Sequence, residues 1–184
     1  MRLLLLGGLA LLAACTEASD NYTAREVAEE APSRPSEPLL SPDTNGAVWA
    51  PSDEYRIVYG QPGQAPYMTL ACEPGDDGRE KIQIERLVAA DEDAKAVLAL
   101  IGNGHVVRLF VDAEALETGG TTQQRWVGRY RPDEADLDVL TGRGRVEATI
   151  PGAGSLILNP SSLPGDIIAK CRGLSPPPPP ESPE

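Results

Sequence analysis

Between Val48 and Leu174 the apolar residues fall mostly on every second position, the spacing of strands that bury one face and expose the other. Ile57 and Tyr59 alternate with Arg56 and Val58, and Met68, Leu70 and Cys72 alternate with Thr69 and Ala71. Ile82 and Ile84 flank Gln83 and precede Glu85, and Val107, Leu109 and Val111 interleave Arg108 and Phe110. Arg125, Val127 and Arg129 interleave Trp126, Gly128 and Tyr130, and the runs Arg145–Ile150 and Leu156–Leu158 complete a set of seven. Glu73-Pro74-Gly75-Asp76-Asp77-Gly78 and Pro151-Gly152-Ala153-Gly154 join neighbouring runs as hairpins, because such residues tolerate the positive φ that tight turns need.

Three segments break the alternation. Asp91 to Leu100 holds good helix formers (Ala94, Lys95, Ala96) with Val97, Leu98 and Ile101 on the inner side, and Gly102-Asn103-Gly104 reads as the stop of a helix. Pro132 to Leu140 opens with Asp133, Glu134 and Asp136, acids that suit the positive end of a helix dipole. Pro164 stands at a first turn ahead of Asp166 to Cys171, where Ile167, Ile168 and Cys171 share one helical face. A strand also accommodates this last segment; the helix is the preferred reading. The pattern as a whole predicts an α+β fold, a small antiparallel β-sheet or partly open barrel of about seven strands with two or three short helices.

Composition sets the limits of this domain at 48–174. Residues 16–47 carry no periodicity, and the stretch Glu29 to Pro38 is rich in Pro, Ser and Glu, a composition that cannot offset the entropy of ordering. The segment 15–47 therefore reads as a flexible tether with a reach on the order of 30 Å. Residues 175–184 include the run Pro176–Pro180, which adopts polyproline II unaided and reads as a disordered tail or as a ligand for an aromatic groove.

The chain's formal net charge of −12 argues against nucleic acid, where neutralised phosphates drive affinity, and against polybasic attachment to a membrane surface. Charge of this sign serves solubility, or gives an acidic face to a cationic partner.

The start of the chain is the most specific motif. Arg2 precedes a short apolar run from Leu3 to Leu12, too short to span a bilayer of about 30 Å, and Leu12-Ala13-Ala14-Cys15 follows. These residues resemble the signal peptide and lipobox of bacterial lipoproteins. The resemblance implies cleavage of residues 1–14, lipidation of Cys15 and a membrane anchor facing the periplasm. With Arg2 gone, 15 basic side chains face 28 acidic ones, a net charge of −13. Thr16, where an aspartate would retain the protein at the inner membrane, implies the outer membrane by resemblance to enterobacterial sorting rules. Export also implies an oxidising compartment, so the two remaining cysteines, Cys72 and Cys171, are expected to pair. Closing a loop of roughly 100 residues stabilises by about 4–5 kcal/mol on loop-closure entropy. The domain is also similar to uncharacterised envelope proteins of alphaproteobacteria at Tyr59-Gly60, Leu70-Ala71-Cys72 and Cys171-Arg172. That resemblance implies the same disulfide and a mixed α+β fold, and brings no activity with it.

Candidate chemistry is sparse. His105 is the one histidine; it has no Gly-x-Ser-x-Gly elbow to serve and cannot build a histidine-rich zinc site. Asp76-Asp77-Gly78 and Asp91-Glu92-Asp93 lack the alternating ligand spacing of a calcium loop and read as a hairpin tip and a helix start. No catalytic residue, metal or cofactor is assigned. The surface that stands out is Arg125, Arg129 and Arg131, on one face of a strand whose other face carries Trp126 and Tyr130. Those arginines bind an anionic partner patch, or they pair with nearby acids such as Asp133 and Glu134. Arg143 and Arg145 enlarge the patch if they lie on the adjacent strand. The reading that follows is a non-catalytic interaction or accessory module of the cell envelope, meeting a protein or a glycan. The alternatives are an inhibitor of a wall-degrading enzyme such as lysozyme, and an unrecognised hydrolase.

Overall fold

The computed structural model describes residues 37–118 and 121–174; the expected signal peptide, Cys15, most of the expected tether and the proline run at the C-terminal end lie outside the described residues. Nine strands follow one another: β1 (Val48–Pro51), β2 (Arg56–Gly60), β3 (Met68–Pro74), β4 (Glu80–Ala89), β5 (Lys95–Gly102), β6 (His105–Thr118), β7 (Thr121–Tyr130), β8 (Val146–Thr149) and β9 (Ser155–Leu158). A 3-10 helix, Ala135–Leu140, precedes β8, and an α-helix, α1 (Leu163–Leu174), follows β9. The strands form one antiparallel sheet in the order β1-β2-β3-β4-β7-β6-β5-β8-β9, curled into a nearly closed barrel.

The alternation in the sequence sorts side chains as expected. Tyr59, Met68, Leu70, Ile82, Ile84, Leu98, Leu100, Val111 and Leu156 point inward and are essentially fully buried, so the barrel is filled by its own side chains. Leu137 and Val139 of the 3-10 helix join the same core, as do Ile167, Ile168 and Cys171 of α1. Cys171 is bonded to Cys72, with Cα atoms 5.5 Å apart, which ties α1 to β3.

One expected helix is a strand. The good helix formers of residues 91–100 predict a helix, yet β5 occupies Lys95–Gly102, with Leu98 and Leu100 inward and Ile101 outward. Local propensity yields here to cross-strand pairing on both sides. The decisive signal is Asn103-Gly104, with φ of 51° and 82°, the two positive values of a type I′ hairpin turn between β5 and β6. Asn103 also donates to the Val139 carbonyl and accepts from the Gly144 N–H, which fastens the turn to the 3-10 helix and the loop behind it. Upstream, Asp91-Glu92-Asp93 form a turn between strands instead of a helix start. The region 132–140 is helical only over Ala135–Leu140, and only as a 3-10 turn.

A sheet with two edges leaves unpaired backbone groups on β1 and β9. Tyr59 and Asn159 supply the missing partners: the Tyr59 hydroxyl donates to the Ile157 carbonyl (2.7 Å) and accepts from the Asn159 N–H (3.0 Å). The Asn159 side chain donates to the Ala47 carbonyl (2.8 Å). Residues 39–47, on the tether side of the boundary drawn from composition, run along this seam. The Leu39 N–H reaches the Gly152 carbonyl, Ser41 Oγ accepts from the Ser155 N–H, and Ala47 is buried.

Tyr59→Phe should therefore lower the unfolding free energy by about 1–3 kcal/mol, because it strips a donor from Ile157 and an acceptor from Asn159. Tyr67→Phe, which loses an exposed bond to the Asp43 carbonyl, should change it far less. Urea midpoints of the two variants check this, and equal midpoints would contradict it.

Candidate functional site

Residues directly opposite in an antiparallel pair share a face, so the registers define two outer surfaces. The first lies across β2, β3, β4 and β7. Arg56, Ala71, Gln83 and Arg129 form one row, and Val58, Thr69, Glu85 and Val127 the next. Although they face outward, Thr69, Ala71, Gln83, Glu85 and Val127 are buried, covered by longer neighbours. Glu85 organises the row: it accepts from Gln83 Nε2 (2.6 Å) and Thr69 Oγ1 (3.1 Å), and Arg56 lies 3.6 Å away. Arg56 also binds Glu73. A cleft of about 60 Å³ opens over this row, lined by Gln83, Glu85, Glu114, Leu116, Arg125 and Arg129.

The three β7 arginines thus stand in different settings. Arg129 makes a forked pair with Glu114 on β6, at 2.5 and 2.8 Å. Those hydrogen bonds hold the Glu114 carboxyl below the usual carboxylate range and raise the Arg129 guanidinium. Arg125 shares the cleft with Arg129. Arg131 turns to the following loop, 3.5 Å from Asp133 and 3.9 Å from Glu134. Arg143 and Arg145 do not extend this face: they precede β8, and the neighbours of β7 are β4 and β6. Trp126 and Tyr130 point into the core as the alternation requires. The Tyr130 ring folds back over Gly128, where an added Cβ would collide with its hydroxyl.

The second surface lies across β6, β5, β8 and β9. Val106, Ile101, Glu147 and Ile157 form one row; Arg108, Ala99, Thr149 and Ser155 form the next, and Phe110 stands opposite Val97 beyond them. Phe110, the chain's one phenylalanine, is 80% exposed, and Val106 is 62% exposed. Ile101 and Ile157 are exposed as well. Arg108, amid these side chains, makes no ion pair among the described residues. The sequence carried a signal for this surface that alternation alone undersold: Phe110 falls on the polar phase of β6, beside Arg108.

The remaining sequence candidates are dispersed. His105 is exposed at the start of β6 and makes no side-chain hydrogen bond among the described residues. Asp77 caps its own hairpin, accepting from the Arg79 N–H and pairing with Lys81, and these contacts hold its carboxyl low. No group of three His, Cys, Asp or Glu side chains among the described residues is placed to hold a metal ion. Among known proteins, no family model, curated protein or solved structure matches the chain.

Arg129→Ala should return the Glu114 carboxyl upward toward the ordinary glutamate value of about 4.3. A lowered folded-state pKa stabilises above the unfolded value, and that contribution is lost as pH falls through the folded one. The variant should therefore lose less stability on acidification than the parent. Carboxyl-carbon NMR titration of Glu114 reads the shift directly; an unchanged midpoint would mean that the forked pair does not persist in solution.

Proposed function

We propose that this chain is a lipid-anchored module of the bacterial cell envelope, held on the periplasmic side through Cys15, that docks a partner protein and performs no catalysis. The lipobox and the Cys72–Cys171 bond support an exported location. The observation that carries the docking role is the outer face of β6, β5, β8 and β9. An aromatic residue left 80% exposed on the same sheet face as Val106, Ile101 and Ile157 gains nothing for the fold, and exposed apolar side chains gathered on one face support an interaction site. Arg108 specifies the partner's chemistry: a protein surface that sets a carboxylate among apolar side chains would satisfy the guanidinium and cover the patch.

The reading is tested by cross-linked capture of the mature protein from native envelopes, compared across three variants. Phe110→Ser and Arg108→Glu should each weaken capture of one dominant protein at least tenfold, while leaving the unfolding midpoint almost unchanged. A variant with Arg125, Arg129 and Arg131 all replaced by Ala should retain it. Loss in the triple-arginine variant alone would move the contact to β7. Capture insensitive to all three would remove the docking role.

A further inference from the structure

The inner face of β4 holds a side chain foreign to a barrel core. Arg86 stands directly opposite Met68 on β3 and Trp126 on β7, both core residues, and it is only 4% exposed. A buried cation is costly unless an anion meets it. Among the described residues Arg86 makes no ion pair. Its Nη1 donates to the Tyr67 carbonyl at 2.9 Å, an oxygen that already accepts the Leu87 N–H. Burial pushes the guanidinium down to about 10, which leaves it cationic at neutral pH.

Its cross-strand neighbour has the same deficiency. Trp126 is 7% exposed, and its indole Nε1–H is buried with no hydrogen-bond partner among the described residues. Two adjacent buried side chains therefore offer donors, and among the described residues no acceptor meets the indole and no anion balances the charge. The backbone is irregular at the same place. Pairing passes from Arg86↔Trp126 to Ala89↔Arg125, so two residues of β4 are extra in the ladder, and bulges of this kind recur beside binding sites. Ala113 lies opposite Trp126, and Tyr67, Val88, Ala90, Ala94 and Ala96 pack against the core cluster.

We propose that the bulged end of β4 and β7 is a binding site for an oxyanion, a carboxylate or a phosphoryl group, held by the Arg86 guanidinium and the Trp126 indole N–H. Two oxygens of one such group satisfy the fork and the indole together and balance the buried charge. Residues 87 and 88, out of register with β7 and only partly buried, and the exposed Ala89 give access. The site lies on the inner face of the sheet, so its failure and the failure of the Phe110 docking face are separate outcomes.

The test uses the chain from residue 15 onward, labelled for indole NMR. Its two tryptophans, Trp49 and Trp126, give two signals. Sodium phosphate, acetate and octanoate are titrated separately against sodium chloride at matched ionic strength. At least one oxyanion should move the Trp126 signal saturably, leave Trp49 in place, and raise the thermal midpoint by about 5 °C at saturation. A response to phosphate alone assigns a phosphoryl ligand, a response to both carboxylates assigns a carboxylate, and a response to octanoate alone adds an apolar tail. Arg86→Met should weaken the response at least tenfold and, with no anion present, raise the midpoint, because it removes an uncompensated charge. Trp126→Phe, which keeps the charge, should weaken binding several-fold. If none of the three oxyanions acts beyond chloride, or if Arg86→Met lowers the anion-free midpoint, Arg86 is a strut to the Tyr67 carbonyl and the proposal fails.

Discussion

Tyr59 holds the two ends of the sheet together, and the rest of the molecule depends on that closure. Its ring belongs to the core beside Trp49, while its hydroxyl serves backbone groups on β9 and just beyond it. Without such a bridge, β1 and β9 would be open edges able to pair with another chain. With it, nine strands enclose one apolar interior, and α1 packs Ile167, Ile168 and Cys171 into that core and is tied to β3 through Cys171.

Closure also decides where function can reside. An interior packed by Met68, Leu70, Ile82, Ile84, Leu98 and Leu100 leaves chemistry to the outer faces and to places where the packing rules are broken. Two such places stand out, of opposite kind. Phe110 is an aromatic side chain on the wet side of β6, and Arg86 is a cation on the dry side of β4. By contrast, the conspicuous acids and arginines over β4 and β7 mostly neutralise one another. Arg56 is held by Glu73 with Glu85 close by, Arg129 by Glu114, and Arg131 lies beside Asp133 and Glu134.

Much of the β architecture was legible because period-two alternation is a strong signal wherever one face is dry. β2, β3, β4, β6, β7, β8 and β9 each coincide with a run visible in the sequence. β1 escaped because Val48-Trp49-Ala50-Pro51 is short and ends in proline. β5 is hidden because Ala94, Lys95 and Ala96 favour a helix, and Asn103-Gly104, a hairpin turn, has the composition of a helix stop. The disulfide followed from cysteine arithmetic and the expectation of export, both independent of geometry. The candidate surfaces were less legible. The partner of Arg129 sits 15 residues away on β6, and only strand register brings it close. Arg86 did carry a signal: continuing the alternation of Ile82 and Ile84 sets a charge on the inward phase.

Tyr59 and Asn159 bridge the seam between β1 and β9 and so hold the nearly closed barrel together. Hydrogen–deuterium exchange resolved at single amides tests it most directly, at the Asn159 N–H that Tyr59 receives. Closure predicts that this amide exchanges as slowly as the ladder amides of β8 and β9, through cooperative opening. Exchange at the rate of a free strand edge, with the ladder amides still protected, would mean that the sheet is open there and that the account of a closed, filled barrel is wrong.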